Sequence, residues 1–145
     1  MRTRSLLQPR TGAVLALVVP AIRGHVEGVH DFRVAARSLR AALRTLTRGS
    51  DRELVERTRR SLRVAIRTLA DVRDRDVGRS LILKLKSGSV IDPALKRRIL
   101  GLSDSDRRVA LLHAETHWPK NLDRRLIGLL RRGEASVKTV IQRTR

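Results

Sequence analysis

Apolar residues along this chain recur every three or four positions, the period of a helix face, and the alternation expected of strands is weak throughout. The pattern predicts a first helix from about Ser5 to Arg23, with Pro9 near its start and Gly24 at its end. A second runs from about Val26 to Arg48 and stops at Gly49. Ser50 or Asp51 caps a third, with Glu53 placed for a capping interaction. That helix is expected to reach about Lys86, where Ser87-Gly88-Ser89 breaks it, and Gly78 is its weak point. Asp92-Pro93 opens a short helix to about Leu100, since Pro suits the first turn. A last stretch is capped at Ser103 or Asp104 and interrupted at Trp118-Pro119. It resumes to about Arg132 and breaks again at Gly133. Helices joined by short loops make an all-α, antiparallel bundle of about four helices, one domain over residues 1–145.

Charge changes this picture from a generic bundle to a polyanion binder. The chain has 145 residues, with 33 Lys+Arg against 14 Asp+Glu, for a formal net charge of +19. Such a charge repels itself and is best tolerated where a polyanion neutralises it: nucleic acid, polyphosphate or an anionic membrane. With no cysteine, disulfides, thiolate catalysis and Cys-based zinc sites are excluded, which fits a reducing cytosol. Only Phe32 and Trp118 are aromatic. Proteins that hold single-stranded nucleic acid stack bases on several rings, whereas an all-phosphate ligand needs none.

The N-terminus has some signal- or transit-peptide character: three arginines and no acid in the first ten residues, then an apolar run to Val19 and Pro20. The run is too short to span a bilayer, and the expectation is an amphipathic first helix.

The second helix concentrates the chemistry. At 100° per residue, His30, Arg33, Arg37, Arg40, Arg44 and Arg48 fall within an arc of roughly 80°. Phe32, Ala35, Ala36, Leu39, Ala42, Leu43 and Leu46 take the opposite arc of roughly 120°. One face packs a core and the other is a cationic rail without an interleaved acid. Guanidinium forks donate two hydrogen bonds at once to phosphate, and His30 can charge up beside one.

On the third helix, Leu62, Ala65, Ile66, Leu69, Val72 and Val77 share the apolar face, and Arg73 and Asp76 project onto it. Buried charges are costly unless paired. These two are therefore expected to pair with each other or with the rail, where Asp76 would orient an arginine toward ligand.

The segment Val29-His30-Asp31-Phe32-Arg33-Val34-Ala35-Ala36-Arg37-Ser38-Leu39-Arg40-Ala41-Ala42-Leu43 resembles the signature helix of the CHAD family, the conserved histidine α-helical domain, V-H-x-x-R-V-x-x-R-R-L-R-A-x-L. Val72-Arg73-Asp74-Arg75-Asp76-Val77 resembles its second motif, R-D-x-D-V. The resemblance implies a helical bundle with a basic inner surface that binds inorganic polyphosphate, often in proteins associated with polyphosphate granules. His30, Arg33, Arg37 and Arg40 match the binding helix; Arg73, Asp74 and Asp76 match the supporting motif.

Ser38 stands where the family usually has a basic residue. Members usually contain two such bundles, yet no second V-H-x-x-R-V pattern follows Leu83. The chain thus resembles a half-length member, expected to pair as a homodimer through its apolar first helix at Val14, Leu15, Leu17, Val18 and Val19.

The remaining candidates are weak. His113 and His117 have the one-turn spacing of a zinc pair, but Ala114 stands where a metalloprotease needs Glu, and no third ligand is evident. No metal or other cofactor is expected. Arg107, Arg108, Lys120, Arg124, Arg125, Arg131 and Arg132 make the last helices basic, either lining the same groove or solubilising the outside. The leading reading is a cytoplasmic, non-enzymatic polyphosphate-binding module. A DNA- or RNA-backbone-binding architectural protein is the alternative, and an enzyme on phosphate polymers comes third, because no metal-binding carboxylate set is visible.

Overall fold

A computed structural model describes residues 7–45, 51–85 and 92–143, with side chains as far as Arg132. The expected rail member Arg48, and the helix limits placed at Ser5, Gly49, Ser50 and Lys86 to Ser89, lie outside these residues. Among the described residues every regular element is helical: α1 (Leu7–Ile22), α2 (Val26–Arg44), α3 (Arg52–Thr68), α4 (Ala70–Lys84), α5 (Pro93–His117) and α6 (Leu122–Arg143). The expected all-α bundle is observed. α1 lies against α2 and α6, and α3 against the same two, which closes a four-helix ring. α4 and α5 pack on each other as a hairpin attached to that ring through lighter contacts to α1, α2 and α3.

The ring encloses one core. Val14 and Val18 of α1, Phe32 and Leu39 of α2, Leu62 of α3 and Leu126 of α6 are buried in it. Each such side chain stabilises the fold by roughly 1.5–3 kcal/mol relative to leaving it in water. The chain's two aromatics are both spent here, with the Phe32 and Trp118 rings 5.3 Å apart at 52°.

The α1–α2 turn sets the ring's tightest corner. Gly24 has φ 76°, the left-handed region that side chains rarely adopt. A Cβ on Gly28 would lie 2.7 Å from Pro20 Cβ and 2.9 Å from its carbonyl carbon, so only glycine lets the helices cross there. Pro20 is tolerated inside α1 because it stands in the last turn, and its carbonyl accepts from the His25 N–H at 3.1 Å.

Several expected boundaries move. The third helix breaks at Leu69 (φ −86°, ψ −3°) rather than Gly78, which lies within α4. The Thr68 hydroxyl donates to the Ala65 carbonyl at 3.0 Å, a local bond that competes with the helical ladder. Val77, placed on the apolar face by sequence, lies at the edge of that face and is exposed. α5 is one helix through Ser103 and Asp104, whose carboxylate accepts from Arg79 at 2.7 Å instead of capping a new start. α6 likewise continues through Gly133. The interface expected on α1 is overturned. Val14 and Val18 are buried in the protein's own core and Leu15 and Leu17 pack against it, which leaves Val19 as the exposed member.

Candidate anion-binding site

The α2 rail is not an open surface. Arg33 and Arg40 stand at the edge of the rail nearest the apolar arc, and packing half-buries them. Arg37 and Arg44, further round the helix, are exposed, and His30 is half-buried at the N-terminal end. Burial pushes the Arg33 guanidinium below its ordinary pKa, and Arg37 and Arg73 push the same way while Asp74 opposes them. Burial is also the leading cause for Arg40, whose pKa is lowered further by Arg63, Arg59, Arg44 and Arg67.

Those neighbours define the other wall. Arg59, Arg63 and Arg67 stand on α3 at i, i+4 and i+8, within an arc of about 80° beside the buried Leu62 and Ile66. The α2–α3 contact therefore brings two cationic rails together, and α4 adds Arg73 at one end. Sequence reasoning missed the α3 residues. Their spacing carried the same signal as the α2 rail and would have shown them under the same angular test.

Within this seam the Nε groups of Arg33, Arg40 and Arg59 are buried and have no hydrogen-bond partner. A buried donor left unpaired costs roughly 1–3 kcal/mol, more when charged. Arg59 is tied at Nη1 to Glu56 at 2.7 Å, one acid at the margin of the cluster. Like charges and unpaired donors, held side by side by helix packing, make an empty seam costly and an anion-filled one favourable.

The supporting motif divides differently from expectation. Arg73 is half-buried and close enough to act on Arg33, and the exposed Asp74 acts on Arg33 in the opposite sense. Asp76 pairs neither with Arg73 nor with the rail. Its carboxylate accepts from Arg107 of α5, Nε to Oδ1 at 2.5 Å and Nη2 to Oδ2 at 3.3 Å. The same Nη2 donates to the Gly24 carbonyl at 2.5 Å. Arg107 comes from α5, which packs on α4, so Asp76 ties the hairpin to the α1–α2 turn and does not orient the rail.

Two other basic residues of the last helices have structural partners. Arg125 donates to the Ser61 hydroxyl and the Arg57 carbonyl, and Arg132 pairs with Asp51. The His113 and His117 rings stack at 4.1 Å, and His117 Nδ1 donates to the His113 carbonyl at 2.9 Å, a contact internal to the helix surface. Among the described residues no three His, Asp or Glu side chains gather as a metal site.

Residues 5–143 match the family model of the CHAD domain. The chain belongs to the CHAD family. This family is linked to polyphosphate binding, and the paired rails lie on the α2 signature helix and the helix that faces it. Comparison with curated proteins and with solved structures found no match. No described helix of this CHAD protein is long and apolar enough to cross a membrane.

Proposed function

We propose that this CHAD protein binds inorganic polyphosphate in the seam between α2 and α3, without catalysing a reaction on it. The observation that carries the reading is the set of buried, unpartnered Nε donors on Arg33, Arg40 and Arg59, lined up between two rails with Arg37, Arg44, Arg63 and Arg67. A chain of phosphates offers an acceptor at every repeat, so successive guanidiniums can each be satisfied along its length. His30 and Arg73 extend the row at one end. Phe32 and Trp118 pack on each other in the core, so base stacking, the usual source of affinity for single strands, has no ring to use. That argues for polyphosphate over DNA or RNA.

The reading extends to a cytoplasmic protein that gathers at polyphosphate granules and works as a homodimer, in which two copies present their rails to one phosphate chain. The test is competition: labelled long-chain polyphosphate, challenged with DNA, heparin and ATP at fixed salt. Displacement by unlabelled polyphosphate at far lower phosphate concentration than by DNA is the expected result. Equal displacement by DNA would transfer the site to nucleic-acid backbone.

A further inference from the structure

α5 is longer than the bundle needs. Its 25 residues bury only Ala110 and Ala114 among the described side chains, both in the C-terminal third. Upstream it is tied mainly to α4, through Arg79–Asp104, Arg75–Asp106 and Lys96 Nζ to the Leu85 carbonyl, with Arg107 reaching the Gly24 carbonyl. The face turned away from the buried Ala110 and Ala114 carries Leu95, Leu102, Val109 and Leu112, which are 48%, 62%, 66% and 62% exposed. Their spacing of i, i+7, i+14 and i+17 is that of a coiled-coil seam, about 26 Å long. A two-helix hairpin with one such face in water is marginal by itself.

We propose that this stripe pairs with the same stripe of a second copy, antiparallel, α5 against α5. The proposal rests on the homodimer reading and supplies the interface that α1 cannot. The sequence of the stripe is self-complementary in one antiparallel register. Leu95 falls opposite Leu112 of the second copy, Leu102 opposite the small Ser105, and Arg98 opposite Val109. Arg98 is the one cation on the stripe, and in this register it lies one helical turn from Asp106 of the second copy. The twofold axis repeats each pairing, as an isologous interface requires.

Charge also selects this face. The protein is strongly basic, and two copies repel wherever arginines meet. On the hairpin, however, Asp106 adjoins the stripe, about 20° round the helix from Leu95, and beside Arg75 it keeps 60% of its side chain exposed, within reach of Arg98 of a second copy. The rails are on α2 and α3, and α5 pairing leaves them unobstructed.

Sedimentation equilibrium of the full chain from about 1 to 100 µM tests this, alongside L102E/V109E. Both substituted residues are exposed, so helicity by circular dichroism should not change. The wild type should approach twice 16.4 kDa as concentration rises, and the double variant should stay at 16.4 kDa. R98E alone should weaken association, and R98E/D106R should restore it. A wild type that is monomeric at the highest concentration overturns the proposal, as does a double variant that still dimerises or a charge swap that fails to restore pairing. If the wild type stays monomeric but binds anionic vesicles through the stripe, the face belongs to a membrane surface instead. Polyphosphate binding is measured in parallel: its loss with dimerisation intact would refute the ligand reading and leave this interface standing.

Discussion

Arg107 and Asp76 meet in a two-pronged ion pair across the α4–α5 hairpin, with the Asp76 side chain 1% exposed and the guanidinium also donating to Gly24. Three parts of the chain distant in sequence are thereby fixed to one another. Removing one partner of a buried pair leaves the other charge stranded, at a cost of about 3–5 kcal/mol. Asp76→Ala should therefore lower the melting temperature by roughly 10 °C or more, measured by circular dichroism. Converting both partners, as Asp76→Leu with Arg107→Met, should recover much of the loss. An unchanged melting curve for Asp76→Ala would refute the role assigned to it.

Replacing Arg33, Arg37 and Arg40 together by Ala should nearly abolish polyphosphate binding. Each charge-assisted contact is worth roughly 1.5–3 kcal/mol, so affinity should fall by several decades. Without ligand, the single change Arg40→Met should raise the melting temperature by a few degrees, because it removes a half-buried guanidinium with an unpaired Nε and like-charged neighbours while keeping the stem's packing. A variant that loses both binding and stability would mean that the seam is structural.

The α3 wall gives a separate test. Arg63→Ala with Arg67→Ala should weaken binding by at least about 100-fold at roughly 1.5–3 kcal/mol per contact, with helicity retained. Full affinity in this variant, measured by fluorescence anisotropy, would confine the site to α2.

Ionic strength should matter steeply. Each phosphate held by a guanidinium releases counterions, so the logarithm of affinity should fall linearly with the logarithm of salt, with a slope approaching one per contact by analogy with nucleic acid. A flat response between low and physiological salt would remove the electrostatic account.

Acid should loosen the hairpin before it reaches the ring. The hydrogen bond from Arg79 holds the Asp104 carboxyl below the usual carboxylate range. A group with a depressed folded pKa stabilises the protein above its unfolded pKa, and the contribution is lost as pH falls through the folded value. Protection of α4 and α5 amides in hydrogen exchange should therefore drop below about pH 4, and Asp104→Asn should flatten that drop. An Asp104→Asn profile identical to wild type would exclude this pair as the cause.

The sequence alone determined what depends on local periodicity. Apolar residues three and four apart make helices wherever they lie, and the i, i+3/i+4 arginines of α2 share a face in any helical fold, so the bundle and the His30–Arg44 rail were legible without coordinates. The R-D-x-D-V segment was legible as a motif, and its partners were not. Whether Asp76 met Arg73, the rail or Arg107 depended on which helix packs against that face of α4, and α5 brings Arg107 there. The α3 wall needed the fold for another reason: a cationic face reads the same in solvent or against a second rail, and only packing α2 on α3 buried the Arg33, Arg40 and Arg59 donors together. The apolar surfaces divided by the same logic. Val14 and Val18 became core because α2 and α6 closed over α1, and Leu102 and Val109 stayed outside because no described helix crosses that side of α5. Sequence sets which side chains share a face; tertiary packing sets what each face meets.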